Sequence, residues 1–168
     1  FQAILSELDG SIQLNYQTVA SANTIPTGPR APVGSFTKGA QLNASTASDA
    51  TGNHIVVWVS PQQDGSGDAV FGRRFLADGT PISGEVLLNQ TGVDNQTRPR
   101  VAMNPNGQFA VVWEGNGPGD TDGIFVRAFN NSGIPVTDEI RVNSDATGLQ
   151  EQARIEIDDA GNFVVAWN

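Results

Sequence analysis

Two stretches of the chain alternate acidic with small residues, Asp64-Gly-Ser-Gly-Asp68 and Asp120-Thr-Asp122-Gly123. Carboxylates so spaced can wrap a hard cation in oxygen ligands, and calcium is the ion that Asp64, Asp68, Asp120 and Asp122 would suit. A solvated acidic turn closed by an Asx-type hydrogen bond accounts for the same residues. Neither stretch supplies a full EF-hand spacing, and no bidentate Glu stands at the needed distance. His54 is the only histidine, and its place inside the repeated strand run makes it a solvated strand residue rather than a general base. No serine sits in a Gly-x-Ser-x-Gly elbow and there is no cysteine, so a Ser/His/Asp triad and thiol chemistry are not expected. The carboxylate pairs Asp138-Glu139 and Asp158-Asp159 fall at turns and strand ends, where solvated charge is expected rather than acid/base hydrolysis. These residues by themselves predict no catalytic centre and no cofactor other than calcium.

What positions them is a repeat. GNHIVVW at 52–58 recurs as GQFAVVW at 107–113 and GNFVVAW at 161–167, and all three tryptophans, Trp58, Trp113 and Trp167, close these stretches. Residues 70–113 laid on 124–167 match at 13 of 44 positions without a gap, too many over such a length for chance. Phe71 meets Phe125, Arg73 meets Arg127, Phe75 meets Phe129, Glu85 meets Glu139, Asn89 meets Asn143 and Gln96 meets Gln150. Within each copy the apolar period is two, which specifies strands. Asp78-Gly79 and Ser132-Gly133 supply the tight turns between them. Four short strands per unit of about 54 residues describe a blade of a radial or linear β array. The three tryptophans and four phenylalanines are then the core of the repeat. Recurrence likewise makes Arg73, Arg127, Arg100, Arg154, Glu85 and Glu139 scaffold, because an active site is built once.

Gly-x-Phe-Val-Val-x-Trp, the Asp/Gly-rich turn, Gly-Ile-Phe-x-x-Arg-Phe and x-Val-Asn together resemble a tandem repeat common in large secreted bacterial surface proteins. The resemblance covers 41–168 and implies propeller-like blades, often found beside calcium-binding or cadherin-like modules. The fold expected is all-β, made of tandem four-stranded antiparallel units, propeller-blade-like, with an N-terminal β-hairpin on a Pro-rich linker. Three segments follow: a hairpin at 1–17, a Pro/Gly-rich linker at 18–36, and a repeat domain at 37–168 with two complete units and one incomplete unit.

That count motivates an assembly reading. The last unit stops after two strands, and the hairpin carries two strands without a sheet, marginal in water alone. Exposed ladder edges invite another chain. The hairpin residues Phe1, Ala3, Leu5, Ile12, Leu14 and Tyr16 would therefore complete the edge of a neighbour at Phe163, Val165 and Trp167. A non-enzymatic filament or surface subunit, its partner another copy of itself, is the first function expected; an excised piece of a longer repeat protein is the competing account. The alternative from another class is an extracellular binding module, lectin-like or adhesive, holding glycan and dependent on calcium; a propeller hydrolase fragment stands third. The net charge of −9 opposes nucleic acid, and no apolar run reaches the length of a spanning helix. Sequons at Asn43, Asn89, Asn95 and Asn130 either mark exposed loops or are coincidence.

Overall fold

The computed structural model describes residues 2–8, 11–17 and 31–168, with side chains from Pro32 onward. Thirteen strands among the described residues form four antiparallel sheets. The first holds β1 (Gln2–Leu8), β2 (Ser11–Gln17) and β3 (Ala31–Pro32). The second holds β4 (Leu42–Ser48), β5 (His54–Pro61), β6 (Asp68–Phe75) and β7 (Val86–Leu87). The third repeats that plan as β8 (Gln96–Met103), β9 (Phe109–Gly117), β10 (Asp120–Phe129) and β11 (Ile140–Arg141). β12 (Arg154–Ile157) and β13 (Phe163–Ala166) make the fourth.

Successive side chains of a strand point to opposite faces, and the central strands bury both. Ile55 and Val57 of β5 join Phe109, Val111 and Trp113 of β9 in one core between the second and third sheets. Val56 and Trp58 turn the other way and pack with Val33. Ala110 and Val112 of β9 meet Ile155 and Val165 of the fourth sheet. Burial on both faces is why these runs read as almost continuously apolar.

The stretch expected to be a linker ends in a strand. Ala31 and Pro32 pair with Leu14 and Gln13 of β2, in the place that Val86 and Leu87 take beside Gly72 and Phe71. Val33, fully buried, follows as Leu88 follows β7. Ala31 and Pro32 are thus the outer strand of the first sheet rather than part of a tether; residues 18–30, with Phe1, Asp9 and Gly10, lie outside the described residues.

The recurring arginines and glutamates clasp one sheet to the next. Arg73 donates through Nε to Ser83 O and through Nη1 to Val33 O, at 3.1 and 3.0 Å; Arg127 repeats this with Thr137 O and Leu88 O at 3.3 and 3.0 Å. Glu85 accepts from the amide and hydroxyl of Ser35, and Glu139 from the amides of Gln90 and Thr91. Burial by itself would raise the Glu85 carboxyl, but the Ser35 hydroxyl and amide, the Gln63 amide and Arg73 together hold it below its ordinary 4.5. A depressed carboxyl stabilises the fold above its unfolded value and is lost as pH falls through the folded one. Acid titration of thermal unfolding is therefore expected to show a loss of stability below about pH 4.5 that is smaller in Glu85→Gln.

His54 occupies the position of Phe109 in the next copy. It stacks on Phe75 with ring centroids 5.4 Å apart, as Phe109 stacks on Phe129 at 4.8 Å. Burial lowers its pKa, against the opposing effect of the Gly52 carbonyl and Asp49, so folding favours the neutral ring. Its destabilisation begins as pH falls through the unfolded value of about 6.5. His54→Phe should flatten the change in melting temperature between pH 7.5 and 5.5, measured by circular dichroism, while keeping the stack.

At the other end the fourth sheet has two strands, and Trp167 is 39% exposed where Trp58 and Trp113 are 1% and 0%. Phe71 and Phe125 lie opposite those two tryptophans in the ladders; β13 has no such strand beside it among the described residues. Exposed Val164 shares this sheet. The assembly reading meets a correction here: β2 takes its second neighbour, β3, from its own chain.

Candidate functional site

A cleft of about 530 Å³ opens between the third and fourth sheets, within the usual range of about 300–1,000 Å³ for small-molecule sites. The start of β8, the end of β9, the start of β10 and residues 149–151 form its walls. The pairing of β8 with β9 slips between Thr97 and Arg100, a bulge that re-aims the side chains around it. Arg98 sits in this slip with φ 50°, and its counterparts Asn43 and Gln152 have φ 53° and 61°. A left-handed non-glycine residue costs about 1–3 kcal/mol, so the repeat keeps a strained position here in every copy. Gly115, at φ 129°, pairs with Gln96 across the wall; a Cβ there would lie 2.0 Å from the Asn95 carbonyl oxygen. Only glycine fits.

Glu114 is the departure from the repeat. In the second sheet this ladder position is Val59 and in the last copy it is Asn168. Its carboxylate, almost wholly buried, accepts from Arg98 Nη1 at 3.0 Å and from the amides of Gln152 and Ala153 at 2.7 and 3.4 Å. Arg98 also reaches Glu151 at 3.0 Å. Its guanidinium is held above its ordinary value by Glu151 and then by Glu114. One cation on the third sheet is thereby shared by carboxylates from both sides of the seam. Around it the walls add Asp94 and Asp122, the hydroxyls of Thr97 and Thr121, the carboxamide of Gln150, and Leu149, which is 69% exposed. This is a surface of hydrogen-bond acceptors and donors beside one apolar side chain.

The residues singled out for calcium are spread over two sheets. Asp64 caps its own turn by accepting the Ser66 amide at 3.0 Å. Asp68, on β6, is tied through its backbone amide to Asn95 at 2.9 Å. Asp120 is buried, accepting from the Asp122 amide at 3.1 Å and from Asn143 Nδ2 at 2.6 Å. Asp122 stands at the cleft rim. Among the described residues no three His, Asp or Glu side chains converge to hold a metal. Of the two carboxylate pairs, Glu139 belongs to the sheet clasp and Asp158 closes a turn on Ala160 and Asn162. Asn89 is buried and hydrogen-bonded, so this sequon does not mark an exposed loop. The repeat pattern does not link Arg98, Glu114 and Glu151, because Arg98 and Glu114 stand on β8 and β9 of one copy while Glu151 precedes β12 in the next. The available signal was Glu114 facing Val59 in the repeat alignment.

No family model and no curated protein matches the chain. A solved structure, the endo-arabinase from Bacteroides thetaiotaomicron VPI-5482, matches with a TM-score of 0.49 at 16% identity, covering 98% of this chain and 68% of that one. The expectation of a non-enzymatic structural protein, a filament joined by donor-strand exchange, is set aside: β2 already takes its second neighbour, β3, from its own chain, and the solved structure matched is that of an enzyme. Among the described residues no helix is long and apolar enough to cross a membrane.

Proposed function

We propose that the chain is an extracellular, propeller-type blade array that binds glycans in the cleft between its third and fourth sheets. The observation that carries this reading is Glu114. A buried ion pair is often less stabilising than well-packed apolar residues, and the second sheet buries Val59 at this position. A charge kept at this seam, where the second sheet has Val59, supports selection for something other than packing. Carboxylates, hydroxyls and a carboxamide in one cleft are acceptors and donors for sugar hydroxyls, and Leu149 offers an apolar surface to a ring face. The likeness of the repeat to secreted bacterial surface proteins supports the extracellular setting.

Isothermal titration with neutral oligosaccharides, arabinan and glucan oligomers among them, tests the reading. The expected result is saturable binding that Arg98→Ala weakens at least about tenfold, through loss of the group that orders both carboxylates. Release of reducing ends in the same mixtures reports whether a bound glycan is also cut. Absence of binding across such a panel, with the protein folded, would remove the proposal.

A further inference from the structure

The seams between sheets share one device, and the first seam lacks part of it. Between the second and third sheets, Asn89 accepts the Val70 amide at 2.8 Å and donates to Thr91 O at 2.7 Å and Gln96 Oε1 at 3.1 Å. Gln96 donates onward to Val93 O and Asn116 O at 2.9 and 3.2 Å. The next seam repeats the tie: Asn143 accepts the Ile124 amide at 2.9 Å and donates to Gln150 at 3.1 Å.

At the seam of the first and second sheets the counterpart of Asn89 is Gly34. The assignment follows from the clasps, since Val33 O receives Arg73 as Leu88 O receives Arg127, and Ser35 meets Glu85 as Gln90 meets Glu139. Gln41, the counterpart of Gln96, is 4% exposed, and neither its Oε1 nor its Nε2 has a partner among the described residues. The hydroxyl of Ser60, fully buried on the adjacent strand, has none among them either. A Cβ on Gly34 would lie 3.5 Å from Trp58 Cζ2 and 3.7 Å from the Glu85 carboxyl carbon, ordinary contact distances. The asparagine is missing, and the backbone at its place has room for a Cβ.

We infer that this seam is where the molecule opens first: β1 to β3 part from the second sheet as one leaf while the remaining sheets stay closed. An unmet buried amide costs the closed state and regains water on opening, whereas opening either other seam breaks an Asn–Gln tie. Local opening follows the least stable boundary, and this leaf is a hairpin bordered by a third strand of only two residues, close to the two-stranded case that is marginal in water.

Native-state hydrogen exchange on the full chain tests this. Ladder amides of β2 should exchange at least about tenfold faster than those of β9, and Gly34→Asn should slow β2 by about three- to tenfold, the worth of one restored hydrogen bond, leaving β9 unchanged. Gln41→Leu, which removes the orphaned amide, should act in the same direction and serves if the first variant does not fold. Asn89→Gly should transfer the weakness, speeding exchange at the second seam. Equal protection of β2 and β9 in the parent chain, or β2 exchange that a folded Gly34→Asn or Gln41→Leu leaves unaltered, would overturn the inference.

Discussion

Trp113→Ala is expected to cost about 3–5 kcal/mol of folding stability, the usual loss for a fully buried aromatic, while Trp167→Ala costs about 1 kcal/mol or less because its ring is already partly in water. Trp113 is 0% exposed and packs with Ile55, Val57, Val70 and Leu88 of the neighbouring sheet and Phe125 of its own. Truncation leaves a cavity walled by two sheets, each held by its own ladder and clasps, so relaxation recovers little. Set against a typical total of about 5–15 kcal/mol, the loss would bring the domain near its unfolding threshold. Urea unfolding followed by circular dichroism measures both variants. Equal losses would show that the three copies share one environment, contrary to the exposures of 0% and 39%.

The second large effect concerns a charge. Glu139→Ala should destabilise by about 2–3 kcal/mol, the range for hydrogen bonds to an ionised group. The carboxylate, almost buried, accepts from the Gln90 amide at 2.6 Å, the Thr91 amide at 3.1 Å and the Thr91 hydroxyl at 2.7 Å. Its removal strands two backbone donors at the seam of the second and third sheets. Glu139→Gln retains a neutral acceptor oxygen and should lose about half as much. The same denaturation experiment separates the three proteins, and a Gln variant as damaged as the Ala variant would assign the loss to side-chain geometry rather than charge.

Arg73, Arg127, Glu85 and Glu139 show how far a repeat can be read. Their recurrence marks them as scaffold, which is how the fold uses them. It does not reveal that each reaches across a seam to the backbone of the preceding sheet, because a sequence period specifies which residues are equivalent and not which unit they touch. His54 lies in a strand as expected, but it is buried rather than solvated, because it takes the place of Phe109 in a stacked pair. At the cleft, Glu114 and Gln152 are 38 positions apart, and no periodic pattern links them.

The chain's own order of residues determined the antiparallel strands, their turns and the tandem plan, since alternation of apolar side chains and the Asp-Gly and Ser-Gly turns are local properties. Tertiary packing alone decided that Ala31–Pro32 is an outer strand, that two tryptophans are buried and one is not, and that Arg98 is shared between Glu114 and Glu151. Those outcomes depend on which sheet lies against which, and contact between sheets is governed by burial and hydrogen bonding across chain distances that no short-range preference records.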